Sequence, residues 1–206
     1  MYIPEYNRIE DHALTLAFMQ ANPFAILVSE TEAGMVATHL PFVVQLDAEG
    51  FLLRAHVARA NQHWRALEQK ESLVVFHGPH AFISPSLYEH RESVPTWTYA
   101  VVHAYGRGKI LSAEAEAAQV LRDLISKFDA SYKEQWSSVS EQYRRRMMNN
   151  IVAFEIRATR VETKYKLNQN RTRADQENVI RSLAQSSDTA VTEVAKLMRE
   201  RGLGLK

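Results

Sequence analysis

Three segments in the first half of the chain place hydrogen-bonding side chains inside apolar runs. They are Thr38-His39-Leu40-Pro41, Arg54-Ala55-His56 and Ala58-Arg59-Ala60-Asn61. A buried polar group without a partner costs about 1–3 kcal/mol, so each of these side chains requires a partner. Backbone groups and neighbouring side chains can provide it, and so can a bound polar ligand. Because the segments are concentrated on consecutive predicted strands, the pattern indicates a binding site for a small phosphate-bearing ligand.

Histidines are the second group of residues that could do chemistry, and seven of the eight lie between His39 and His103. His77-Gly78-Pro79-His80 offers two imidazoles, but Gly-Pro between them predicts a turn that would not aim both rings at one metal ion. Other histidines could complete such a site in space. The alternative, which the absence of a carboxylate or thiolate at ligand spacing favours, is that most are half-buried barrel residues satisfying backbone groups.

The motifs that hold phosphates or cleave esters at glycine-rich turns are missing. There is no Gly-x-Gly-x-x-Gly and no Walker loop, and Gly106-Arg107-Gly108-Lys109 is too short and lies in a strand pattern. A phosphate would therefore be held by side chains from strands and from the first turn of a helix at Asn61. A Ser-His-Asp hydrolase is disfavoured, because there is no Gly-x-Ser-x-Gly and no aspartate between Phe51 and Ile110.

Composition limits the class of protein. With 206 residues, 46% of them hydrophobic and 24% charged, the chain is expected to form one globular domain with or without an appendage. Cysteine is absent, which excludes disulfide partners. We expect a cytoplasmic protein with no membrane contact, since neither a leader peptide nor a long apolar run is found. The net charge of +1 gives no overall signature of nucleic-acid binding.

The elements that must position these residues are mostly strands. Predicted strands bounded by turn residues are 24–29, 35–47, 51–58, 72–77, 80–84, 94–111 and 151–156. Their spacing predicts a meander that closes, or nearly closes, into a barrel. Two clusters of basic residues, within 160–173 and at Arg144-Arg145-Arg146, are interpreted as solvated faces.

Helices are predicted at six places. Asp11, Asn61, Ser112 and Thr172 are expected N-caps, and helical spacing also marks 143–148 and a last helix with Val191, Val194 and Met198. The fold class is thus mainly β with helices (α+β). We expect a barrel domain over residues 1–165, with a helical pair inserted at about 112–149, and a C-terminal helical tail over 166–206.

Several segments together resemble the PaiB family of flavin-mononucleotide-binding negative transcriptional regulators, nearly end to end. The segments that carry the resemblance are Met1-Tyr2-Ile3-Pro4, Ala37-Thr38-His39-Leu40-Pro41, residues 77–85, Val94-Pro95-Thr96-Trp97, residues 102–106 and residues 165–171. One departure is Asn61-Gln62-His63-Trp64, where the family has proline after the asparagine. The loss of that proline affects how rigidly the turn is held.

The resemblance implies an FMN-binding split β-barrel that forms a homodimer. By the same resemblance, the cofactor FMN lies along Thr38, His39, Leu40 and Pro41. His56, Arg59 and Asn61 are then placed near the phosphate or ribityl chain, and Trp64, His80 and Trp97 along the ring. The C-terminal signature adds Lys166, Gln169, Asn170 and Arg171. No catalytic residue and no metal ligand is assigned.

Three functions remain open. The first is a flavin-binding regulator that contacts DNA directly or indirectly, although no helix-turn-helix is evident. The second is an FMN-dependent oxidoreductase of the split-barrel type, although no residue stands out as a catalytic acid or base. The third is a haem- or metal-binding split-barrel module that uses the histidines.

Overall fold

The computed structural model describes residues 1–204, which form nine strands and six α-helices. The strands are β1 Arg8–Ile9, β2 Phe24–Thr31, β3 Gly34–Pro41, β4 Val43–Asp47, β5 Gly50–Ala58, β6 Glu71–Ile83, β7 Thr96–Ile110, β8 Ile151–Arg157 and β9 Arg160–Lys166. The helices are α1 His12–Ala21, α2 Glu114–Phe128, α3 Tyr132–Ser138, α4 Glu141–Asn149, α5 Arg173–Leu183 and α6 Thr189–Glu200. Short 3-10 helices are Glu5–Asn7, Gln62–Ala66 and Pro85–Leu87. Residues 205–206, the end of the predicted tail, lie outside the described residues.

The strands follow the order β3-β2-β6-β7-β8-β5-β4, with β9 pairing β1 and β7. The hairpins β2–β3 and β4–β5 are local, and both are antiparallel. β5 instead pairs with β8, which follows the helical insertion, so the order is not the predicted meander. The fold class, mainly β with helices, is confirmed.

The described residues fall into two compact units. The first contains residues 1–11, 77–102 and those from Glu162 onwards, and the second contains 12–76 and 103–161. In the second unit, the buried ring of Phe42 lies 5.8 Å from that of Phe76 and 6.1 Å from that of Phe154. In the first, the buried residues include Tyr165, Val179 and Met198. The predicted boundary between residues 165 and 166 stays a prediction.

The insertion between β7 and β8 contains three helices, α2 to α4, where a pair was predicted. α2 packs Val120 and Leu124 against Ala153 of β8. Ser112 was wrong as the N-cap of this helix: the capping position is Ala113, which makes no side-chain cap bond. Thr172 and Asn61 are confirmed as caps, because their side chains accept from the backbone N–H groups of Asp175 and His63.

Two further expectations about strands were wrong, and one strand was missed. The predicted strand 35–47 is two strands, divided at Phe42, whose N–H donates to the carbonyl of Pro23. The predicted turn at Gly78-Pro79 lies inside the continuous strand β6. Part of the basic run 160–173 is a strand, β9, that the charge pattern concealed. Among residues 1–204, no helix combines the length and apolar character of a membrane span.

Candidate functional site

A buried chain of hydrogen bonds lies in the second unit, and we refer to Ser72, Ser29, His63, Thr38 and Asn61 as the polar chain. The Ser72 and Ser29 hydroxyl oxygens are 2.7 Å apart, and Ser29 Oγ is 2.8 Å from His63 Nε2. His63 Nδ1 is 2.8 Å from Thr38 Oγ1, which accepts from Asn61 Nδ2 at 3.2 Å. The polar chain therefore joins two predicted site residues, Thr38 and Asn61, through a histidine that is only 3% exposed.

His63 was missed as a site residue by the sequence analysis. The signal that could have found it is its position two residues after the N-cap Asn61, where its own N–H donates to Asn61 Oδ1 at 3.1 Å. A residue held there by the cap has a fixed direction. Burial lowers the pKa of His63 below its usual value, so the ring is neutral at pH 7.

A cavity of about 620 Å³ adjoins the polar chain in the same unit. Asn61, His63, Arg65 and Glu32 are among its lining residues. The Arg65 guanidinium also lies 5.4 Å from the centroid of the Trp64 ring, a cation–π geometry. Amide and guanidinium donors, together with the carboxylate of Glu32, thus line a space large enough for part of a small polar ligand.

The other residues of the segment 38–41 have different surroundings. His39 is exposed, and its ring lies 6.3 Å from that of Phe24. Leu40 is buried, and Pro41 pairs with Phe24 across the hairpin. Because successive strand residues point to opposite faces, His39 and Thr38 do not share a face. The structure therefore does not bring His39 to the polar chain.

His56 lies directly opposite Ala153 in the β5–β8 pair. Cross-strand partners share a face, so His56 is on the face that α2 covers. Its Nδ1 is buried and has no hydrogen-bond partner among the described residues. Burial lowers the pKa of His56, which keeps the ring neutral. Its predicted role near a phosphate stays a prediction.

Arg59 is bonded to the end of α4. Its Nε donates to the Asn149 carbonyl at 2.6 Å, and one terminal nitrogen donates to the Ile151 carbonyl at 2.9 Å. The Trp64 indole N–H in turn donates to the Arg59 carbonyl at 3.2 Å. Both residues line a second cavity, of about 570 Å³, with Arg145. These contacts give Arg59 a structural role, because its guanidinium satisfies carbonyl groups at the C-terminal end of α4.

The first unit carries an exposed aromatic surface, formed by His77, His80, Phe82 and Trp97. The Trp97 ring, 53% exposed, lies 5.9 Å from that of His80 and 6.0 Å from that of Phe82. The His77 and His80 rings are 4.9 Å apart. The pKa of His77 is lowered mainly by burial and to a smaller extent by the neighbouring His80. A flat ligand could stack on this surface.

The strand β6 explains why both histidines face the same way. Burial alternates from Ser72 to Gly78, and then Pro79 and His80 are both accessible before alternation resumes at Ala81. One extra residue of this kind is typical of a bulge, which proline tolerates because it donates no ladder hydrogen bond. Within residues 1–204, no group of three candidate ligands accompanies the histidine pair.

The C-terminal signature makes local contacts in the first unit. Lys166 Nζ donates to Thr96 Oγ1, and Thr96 points away from the face of its neighbour Trp97. Gln169 uses both amide atoms on its own backbone, accepting from the Leu167 N–H and donating to the Tyr165 carbonyl. These contacts hold the turn, and they do not bring Lys166 to the aromatic surface.

The rest of the signature fastens neighbouring loops. The Arg171 guanidinium lies 3.9 Å from the Tyr88 ring centroid and donates to Ser93 Oγ at 3.4 Å, while Asn170 is exposed. The turn itself requires Asn168 at a φ of 63°, the left-handed region. The contacts described above all join groups of the protein itself. The predicted cofactor contacts of Lys166, Gln169, Asn170 and Arg171 therefore stay predictions.

The family described as "Putative FMN-binding domain" matches residues 1–160. The chain belongs to this family. It is 34% identical over 204 residues to Protease synthase and sporulation protein PAI 2 of Bacillus subtilis (strain 168), covering 98% of each chain. These findings support flavin binding.

Two solved structures share the fold. The flavocytochrome Anf3 from Azotobacter vinelandii gives a TM-score of 0.64 at 16% identity, with 80% of this chain and 72% of that chain covered. The FAD and heme binding protein from Mycobacterium smegmatis gives 0.61 at 13% identity, with coverage of 78% and 73%. At such identities the likeness establishes the split-barrel fold, as the family resemblance implied.

Proposed function

We propose that this protein binds flavin mononucleotide and acts as a PaiB-like negative regulator of transcription. The observation that carries the flavin proposal is the half-exposed Trp97 ring between His80 and Phe82. Large aromatic side chains are seldom left uncovered in groups unless they meet a ligand or partner. An isoalloxazine ring has the flat, aromatic shape that stacks on such a surface.

Stacking on Trp97 predicts a graded loss of affinity. Stacking of a nucleic-acid base on an aromatic side chain contributes about 1–3 kcal/mol of binding free energy, and we expect a similar value for the flavin ring. Trp97→Ala is therefore expected to weaken FMN binding by about tenfold or more. Trp97→Phe is expected to retain most of the affinity, because a flat ring remains. The measurement is quenching of flavin fluorescence during titration of the purified protein.

Trp136 offers a matched control, because it lies in α3 of the insertion and its only ring contact among the described aromatic pairs is with Tyr132. Trp136→Ala is expected to leave the FMN affinity unchanged. Equal affinity of Trp97→Ala and wild-type protein would contradict the stacking role. Failure of folded wild-type protein to bind FMN at all would contradict the flavin proposal.

The regulatory role is proposed to be indirect. In the cluster Arg144-Arg145-Arg146, the first side chain donates to the Ser137 carbonyl, the second pairs with Glu141 at 2.6 Å, and the third stacks on Tyr143. Each of these arginines therefore has a partner within the helical insertion, with which a DNA phosphate would have to compete. We expect no promoter-specific gel shift by the protein alone. A specific, salt-dependent shift would contradict the indirect mode.

A homodimer is proposed as the working assembly, on the resemblance to the PaiB family. The exposed aromatic surface would be consistent with either a ligand or a second copy, since both bury apolar area. Light scattering of the purified chain gives its mass in solution, and a monomer at all concentrations would contradict this part of the proposal.

A further inference from the structure

The polar chain has a direction that follows from its two ends. At the Asn61 end, the backbone N–H of His63 can only donate, and it donates to Asn61 Oδ1. The amide nitrogen of Asn61 must therefore face Thr38, so that Thr38 Oγ1 accepts a hydrogen bond from it. This assignment leaves no freedom to flip the amide.

At the other end, Ser72 is 1% exposed, and its hydroxyl has one partner among the described residues, Ser29. If Ser29 donated to Ser72, the Ser72 O–H would be buried without an acceptor, which costs about 1–3 kcal/mol. Ser72 therefore donates to Ser29. The Ser29 proton then goes to its second neighbour, His63 Nε2.

A neutral imidazole has one N–H, so a ring that accepts at Nε2 must carry its proton at Nδ1. That proton is donated to Thr38 Oγ1. Thr38 then accepts twice, from His63 and from Asn61, and its own hydroxyl proton has no acceptor among residues 1–204. The Thr38 side chain is partly exposed, and its two partners, His63 and Asn61, both line the adjoining cavity.

We infer that His63 is a positioning residue: fixed as its Nδ1–H tautomer by the two serines, it turns the Thr38 hydroxyl into a donor for an acceptor oxygen of a bound ligand. The adjoining cavity is lined by Arg65 and Asn61 and also by the carboxylate of Glu32, so the acceptor is assigned as an oxygen of a polar ligand, of which a phosphate beside Arg65 is one case. The identity of the ligand rests on the proposed function, whereas the tautomer does not.

The tautomer is tested directly on the wild-type protein. Histidine labelled with ¹⁵N gives long-range proton–nitrogen correlations that distinguish an Nδ1–H ring from an Nε2–H ring, and His63→Gln identifies the signal. The expected result is Nδ1–H in the absence of ligand. An Nε2–H ring, or a charged ring at pH 7, would overturn the inference.

Two serine variants separate positioning from simple packing. Ser72→Ala keeps Nδ1–H, because the Ser29 proton still needs Nε2 as its acceptor. Ser29→Ala removes the bias and is expected to give a mixture of both tautomers. Circular dichroism confirms that each variant is folded, and an unmixed Nδ1–H ring in Ser29→Ala would contradict the assigned cause.

The donor role of Thr38 is tested by titration with FMN. Loss of one hydrogen bond to a charged group predicts about tenfold weaker binding for Thr38→Val, with recovery in Thr38→Ser. Equal affinity of Thr38→Val and wild-type protein would overturn the donor role. If wild-type protein binds no FMN, the proposed function fails, and the ring-nitrogen spectrum still decides the tautomer.

Discussion

Close packing around Gly106 in β7 is predicted to leave no room for a side chain. The loss of stability in Gly106→Ala tests this prediction. A Cβ atom at this position would lie 2.5 Å from the Arg157 carbonyl oxygen and 2.7 Å from Ile156 Cγ2. Both distances are well inside van der Waals contact, so a neighbouring atom has to move. The carbonyl belongs to β8, whose backbone is held from the other side by pairing of Arg157 with Leu52.

The magnitude follows from two opposing effects. Overpacking of this kind costs about 1–3 kcal/mol, and a rigid backbone neighbour places the cost in the upper part of that range. Replacing glycine also restricts the unfolded chain, which returns about 0.4–1 kcal/mol. The free energy of unfolding is therefore expected to fall by about 2 kcal/mol, and Tm by about 4–8 °C.

Urea unfolding followed by circular dichroism is the assay, with the slope of the transition expected to stay unchanged. Gly108→Ala is a companion variant, because its Cβ would lie 2.7 Å from Leu67 Cβ. If Gly106→Ala were as stable as wild type, the packing argument would be refuted. If it retained stability but lost FMN affinity, the Gly106-Arg107-Gly108 segment would be a ligand loop after all.

Two other predictions concern the fold. Asn168→Ala is expected to be less stable than Asn168→Gly by about 1–2 kcal/mol in urea unfolding, because alanine is strained at a φ of 63° and glycine is not; equal stabilities would contradict the assigned strain. His56, His63 and His77 have pKa values lowered in the folded state, so the unfolded state binds more protons as the pH falls through the usual histidine pKa. The urea midpoint is therefore expected to be lower at pH 5.5 than at pH 7.5, with a smaller difference in His56→Phe; a midpoint that rose on acidification would have the wrong sign.

The fold was predictable from the sequence where one local signal dominates. The alternating burial of β2 and the caps at Asn61 and Thr172 were each marked by residue type and spacing. β9 was not predictable in this way, because its charged residues alternate with few apolar ones and its pairing with β1 is distant in sequence. Register with a remote strand is a tertiary property, and it overrides a weak local pattern.

The candidate site was only partly predictable for a related reason. Thr38 and Asn61 were identified as embedded polar residues, and the structure joins them. His63 was passed over, because a histidine in a short polar helix resembles a solvated one until its burial is known. The aromatic surface depends on the break in alternation at Pro79-His80, which changes the face of every later residue in β6.

The polar chain also shows why a residue's type does not give its role in recognition. A threonine hydroxyl has one proton and two acceptor positions, so Thr38 alone could either donate to a ligand or accept from it. What decides between the two is the buried serine pair at the far end: whether or not Ser72 donates to Ser29, the Ser29 proton has His63 Nε2 as its acceptor, and this sets the direction of the bonds up to Thr38. The serine pair need not contact the ligand to set the sign of the interaction. A substitution at Ser72 that supplied a new acceptor for the Ser29 proton would allow the His63 ring to change tautomer. Thr38 would then donate to His63 Nδ1 and no longer to the ligand, without any change in the atoms that face the ligand.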